Sequence, residues 1–226
     1  MHETFREMLA GNARHTERVA DQLTDLQAGQ HPDVLTVCCG DSRVMQDDMW
    51  DNRQPGRAFT HSNIGNRVLQ ETGDGRTVSG DVLYPLVHTD TRTAVVVGHT
   101  GCGAVTAAYH SLQNGPDEPD GIAHCVELVA DGIEDGFEQL PDGVADDEAV
   151  NRLVEYNVDR QVEFLARDGA VPDTVEVIGA VYDFHRAYGN ELGAVHVVNV
   201  DGVRDEDRLR DSYPEIAARI GRLWAY

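Results

Sequence analysis

Two short segments carry residues able to do chemistry together: Cys39-Gly40-Asp41-Ser42-Arg43, directly after the apolar run 34–38, and His99-Thr100-Gly101-Cys102, directly after 94–97. Two thiolates and an imidazole at the ends of buried strands supply three tetrahedral ligands to Zn²⁺ and leave its fourth position open. An open position is what a hydrolytic or hydrating metal enzyme needs. Taken alone, His99 and Cys102 fit a buried structural pair equally well, and Cys39 lies 60 residues upstream of His99, so the fold must deliver it. Asp41 and Arg43 are two apart and share one side of an extended backbone. There a guanidinium can hold the carboxylate ionised beside the metal, although an ordinary strand-end ion pair would read the same way.

The elements that must position these residues are legible in the apolar spacing. Phe5, Met8 and Leu9, then Val19, Leu23 and Leu26, recur at helical intervals with Gly11-Asn12 between them, which predicts two helices in an N-terminal arm over 1–28. Strands are expected at 34–38, 57–61, 93–97, 175–181 and 195–200. A helical stripe of Val78, Val82, Leu83, Leu86 and Val87, interrupted by Pro85, leads into the third of these. Further helices are expected after Cys102, over 150–167 with Leu153, Val154, Val158, Val162 and Leu165 inward, and over 216–223. The stretch 114–147 reads as an acidic surface excursion. Apolar strands alternating with helices imply one α/β domain over 1–226, with a mostly parallel central β-sheet covered by helices. Sites in such sheets form where strands end, which is where both segments lie.

The chain carries 40 acidic residues against 18 basic ones, every one of them Arg, for a net charge of −22. Such a charge repels nucleic acid and anionic membrane alike. Absence of Lys beside so much Asp fits adaptation to high salt, where self-repulsion is screened. No apolar run approaches the roughly 20 residues of a membrane span, and the first residues lack a basic and apolar leader, so a soluble cytoplasmic protein is expected. Four Cys read as metal or structural thiols, with Cys38 and Cys125 expected as buried free thiols. His61 and His185 are candidate proton relays, a surface or hydrogen-bonded histidine being the plainer reading of either.

Cys-x-Asp-Ser-Arg followed about 60 residues later by His-x-x-Cys-Gly resembles the signature of the β-class carbonic anhydrases, matched by residues 39–43 and 99–103. Leu9-Ala10-Gly11-Asn12-Ala13-Arg14, Asn157-Val158-Asp159-Arg160-Gln161-Val162 and Gly179-Ala180-Val181-Tyr182-Asp183 look like further family motifs in the family's order. The resemblance implies Zn²⁺ on Cys39, His99 and Cys102, with Asp41, paired to Arg43, accepting a hydrogen bond from the zinc-bound hydroxide that attacks CO₂ to give bicarbonate. It also implies a substrate pocket of Gln30, Phe59, Ile64 and Tyr84 with a backbone donor at Gly103, although Ala104 replaces a second glycine common in the family. For each pocket residue, core packing alone would read the same. Ser62 stands where most members have Arg, and Thr36 where one subgroup has the Trp of a regulatory bicarbonate pocket. Lacking both and keeping Gln30, the chain resembles the plant-type subgroup with an open site, water rather than Asp41 completing the zinc. Family members are dimers or higher even oligomers with N-terminal helices reaching a neighbour, so a homodimer or larger assembly is implied. Rival readings are a zinc hydrolase of CS₂ or carbonyl sulfide and a non-catalytic bicarbonate-sensing zinc protein.

Overall fold

The apolar, largely β-branched runs form a sheet, as their spacing predicts. In the computed structural model, which describes residues 1–226, β1 (Val34–Cys39), β2 (Ala58–Asn63), β5 (Thr93–His99), β6 (Glu176–Asp183) and β7 (Ala194–Val200) lie in the order β2-β1-β5-β6-β7. The first four are mutually parallel and β7 runs antiparallel on β6. The chain leaves β1 toward β2 on one side and returns to β5 on the other. Loops therefore diverge between the carboxyl ends of β1 and β5, the topological switch point at which open α/β sheets place their sites.

Four helices cover one face: α2 (Gly80–His88), α3 (Gly103–Asn114), α4 (Asp120–Glu138) and α5 (Asp146–Arg167). They bury Val82, Val105, Val129 and Leu153 against Leu35, Val37, Val96 and Val177 in the main core. Close approach of α5 depends on two strand glycines. A Cβ at Gly98 would stand 2.7 Å from Val158 Cγ2, and one at Gly179 would stand 2.8 Å from Val158 Cγ1.

Several elements differ from expectation. The arm is one helix, α1 (Glu3–Asp25), because an interior glycine costs only about 1 kcal/mol and the strong helix formers Leu9, Ala10 and Ala13 lie within two residues of Gly11. Only Val19 of α1 is buried, while Phe5, Met8, Leu9 and Leu23 stay exposed. Val78 ends a hairpin, β3 (Leu69–Thr72) with β4 (Gly75–Val78), that the helical stripe concealed. Nor is 114–147 a mere surface excursion. Its α4 turns acidic residues outward but seats Val126, Val129 and Ile133 in the core, since one helical face suffices to do both. Near the C-terminus α6 (Glu206–Ser212) precedes a 3₁₀ helix at Pro214–Arg219, so the helix expected over 216–223 is 3₁₀ as far as Arg219 and extended beyond it. Arg222 draws that chain onto α5, pairing at 2.9 Å with Glu155 and 2.7 Å with Asp159, both fully buried.

Candidate metal centre

Parity along β1 selects which cysteine serves the crevice. Leu35, Val37 and Cys39 share the helix-covered face, while Cys38 joins Val95, Val97 and Ala180 on the other. Cys38 pairs in register with Val97, which puts Cys39 and His99 at neighbouring strand ends. Cys102 follows as the N-cap of α3. The ligand atoms of Cys39, His99 and Cys102 lie within 4.8 Å of one another, and all three residues are buried.

The donor set fits a tetrahedral thiophilic ion. The two sulfurs are 3.7 Å apart, and thiolates each 2.3 Å from a tetrahedral zinc would be about 3.8 Å apart. His99 Nε2 is buried without any hydrogen-bond partner, while Nδ1 lies 3.1 Å from the Thr100 carbonyl, the arrangement that orients a ligating imidazole. An orphaned buried nitrogen costs about 1–3 kcal/mol unless something fills its lone pair or takes its proton. The Cys102 thiol's hydrogen bond holds Cys39 down, to about 4, against burial and with help from His99 and the Gly65 backbone. The same bond, with burial, raises Cys102, opposed by backbone N–H groups of Val105 and Ala104 at the start of α3. Two sulfurs thus share one proton that a metal would displace.

Beside this cluster stands the carboxylate. Arg43 donates to Asp41 Oδ1 from its backbone N and from Nε, both at 2.9 Å, and to Oδ2 from Nη2 at 2.7 Å. These side-chain hydrogen bonds, more than any other cause, hold Asp41 well below the usual carboxylate range. Its Oδ2 lies 3.8 Å from His99 Nε2, next to where an ion would sit.

The pocket residues are dispersed in a single chain. Phe59 packs on the main core with its ring 6.2 Å from that of Tyr84, whose outer face is exposed. Ile64 is exposed, and Gln30 is exposed in the turn after α1. Gly103 opens α3 beside Cys102. Cys38 is a buried free thiol that burial pushes up to about 12. Cys125 is only half-buried, 3.4 Å from the Arg67 guanidinium, because α4 turns it toward the loop after β2. His61 contacts Asn63 at 3.1 Å, and His185 contacts Thr100 Oγ1 at 3.0 Å.

Sequence reasoning missed three residues that brace the site. Gln46 accepts from Thr36 Oγ1 at 2.9 Å and donates to Ser62 Oγ at 2.5 Å and the His61 carbonyl at 3.2 Å, tying the Asp41–Arg43 loop to β1 and β2. Asn151 accepts from the Gly101 N–H at 2.8 Å. Phe184 follows β6, directly after the Gly179–Asp183 motif, and lies on the His99 ring. Only that adjacency offered a signal; Gln46 and Asn151 had none.

A family model described as carbonic anhydrase matches residues 34–189. A carbonic anhydrase of Emericella nidulans is 30% identical over 204 residues, covering 88% of this chain and 78% of that protein. Carbonic anhydrase 2 of Mycobacterium tuberculosis is 26% identical over 183 residues, covering 77% and 81%. Among solved structures, the β-carbonic anhydrase CafA of Aspergillus fumigatus matches at TM-score 0.72 and 26% identity, over 97% of this chain and 100% of that one. A tetrameric β-carbonic anhydrase of Sordaria macrospora shares the fold at TM-score 0.72 and 22% identity, over 88% and 98%.

Proposed function

The chain belongs to the β-class carbonic anhydrase family, and from that premise we propose that it hydrates carbon dioxide reversibly to bicarbonate and a proton at zinc held by Cys39, His99 and Cys102. The observation that carries this reading is the unpartnered Nε2 of His99 facing two sulfurs at zinc-ligand separation, with a fixed carboxylate alongside. Zinc so held supplies Lewis acidity that brings the pKa of a coordinated water into the neutral range, an effect for which carbonic anhydrases are the standard illustration.

The chain's own residues set the geometry of that chemistry. Asp41, kept ionised by Arg43, is an acceptor only, so it turns the hydrogen of the reacting water toward itself and leaves the oxygen's lone pair for carbon. A guanidinium already bonded to both carboxylate oxygens would leave solvent rather than Asp41 to complete the zinc, and Gln46 bonds Thr36 and Ser62, the two positions where the regulated subgroup would have Trp and Arg. Both support the open, plant-type subgroup. Phe59, Ile64 and Tyr84 are assigned to an apolar wall suited to a substrate with no charge to grip, Gln30 to a substrate oxygen and the Gly103 N–H to bicarbonate, at a helix N-terminus favourable to anions.

The exposed apolar residues of α1 support a homodimer or larger even assembly in which the arm packs on a neighbour. Lys-free acidity supports a salt-adapted protein, and four free thiols support the cytoplasm. No helix is long and apolar enough to cross a membrane. Stopped-flow CO₂ hydration by zinc-loaded protein at pH 7 to 9 in molar salt, run beside sulfide release from CS₂, tests the reading. Hydration without sulfide is expected; one zinc per chain with no hydration overturns it.

A further inference from the structure

Arg43 orients Asp41, yet its own side chain is 50% exposed, where charge attraction alone contributes little. Beyond Asp41 it donates one long hydrogen bond, from Nη2 to the Gly101 carbonyl at 3.4 Å, which does not touch its face. Its Cζ lies 4.5 Å over the centroid of the Phe184 ring, and Phe184 stacks on the His99 ring at 5.3 Å with planes 25° apart. Phe184 thus contacts the base of the carboxylate clamp and a candidate zinc ligand at once.

The ring is fixed from behind. Asp183 Oδ1 accepts from the His185 N–H at 2.9 Å and from Thr100 Oγ1 at 3.3 Å, while Oδ2 accepts from the Tyr188 N–H at 2.9 Å. Thr100 Oγ1 also accepts the Phe184 N–H at 3.1 Å. Tyr182 meets the Phe184 ring edge-on at 5.6 Å. The turn after β6 is wired to the residue that follows His99, so plate and ligand move together.

We propose that Phe184 is a positioning residue: its π-face holds the Arg43 guanidinium in register with Asp41 and keeps that pair aligned with His99. The inference rests on the carbonic anhydrase reading for its kinetic consequence but not for its geometry. In Phe184→Leu, apolar bulk remains while the cation–π contact is lost. With zinc still at one per chain, kcat is expected to fall roughly fivefold with KM little changed. Phe184→Tyr keeps the face and is expected to restore kcat.

A second readout needs neither zinc nor turnover. In metal-free protein the Arg43 Nε–H, bonded to Asp41 at 2.9 Å, should give a slowly exchanging NMR signal that Phe184→Leu abolishes and Phe184→Tyr retains. Pentafluorophenylalanine at 184, which keeps the shape and inverts the quadrupole, should weaken the signal as Leu does, and it serves if the Leu variant does not fold. An unchanged Nε–H signal in the Leu or pentafluoro protein overturns the inference, as does equal loss with Tyr. Absence of hydration by the unaltered protein, with the NMR pattern as expected, would instead remove the functional reading alone.

Discussion

Burial pushes the Cys38 thiol up to about 12, while its neighbour Cys39 is held at about 4 by the hydrogen bond from Cys102, because alternate residues of β1 face opposite sides of the sheet. Cys39→Ser is therefore expected to lose zinc, and Cys38→Ala to keep one per chain, by metal analysis of the purified proteins. Asp41→Asn preserves shape but donates where the carboxylate accepts. It is expected to retain zinc and lose at least about 100-fold in kcat, the scale of a lost proton-handling group; full activity would remove Asp41 from its role. The types and spacing of these residues were legible in the chain. Phe184 and Gln46 were not, because an aromatic plate and an amide brace matter only through partners distant in sequence.

At the level of elements, α5 links the sheet, the site and the C-terminal segment. Gly98 lets it approach the strand that ends in His99; Gly98→Ala would set a Cβ 2.7 Å and 2.9 Å from Val158 and Val154. A loss of about 1–3 kcal/mol by chemical denaturation is expected, as for other overpacked cores. The adjoining flank of α5 holds Glu155, pushed up to about 7 by burial that outweighs Arg222, the Leu223 N–H and the Tyr188 hydroxyl. A carboxyl whose folded pKa exceeds its unfolded value binds protons more tightly when folded. Its stabilising contribution is complete below about 4.5 and is lost as pH rises through about 7. His61 and His196, both lowered chiefly by burial, act in the opposite direction near their own range, so the difference between variants isolates the carboxyl. Glu155→Gln should remove a downward slope of stability between those limits; identical pH profiles would refute this. The apolar stripe of α5 announced a buried helix, but nothing in that spacing marked Glu155 and Asp159 as buried, because their burial depends on Arg222 reaching them from residues far along the chain.

For the whole molecule, a net charge of −22 without Lys means that repulsion opposes the compact state wherever screening is weak. Raising salt from 0.1 M to 1 M shortens the screening length from about 10 Å to about 3 Å. The thermal midpoint is accordingly expected to climb between dilute buffer and molar salt, and a flat response would exclude salt adaptation. Strand runs, helix stripes and the two ligand segments follow local periodicity, so the chain by itself determined an α/β sheet and a three-ligand site at strand ends. Only the tertiary structure decided that β1 and β5 are neighbours, that α4 closes the core and that Arg222 pairs with Glu155 and Asp159 on α5. Each of these depends on burial shared between segments far apart in sequence, and local spacing holds no record of such contacts.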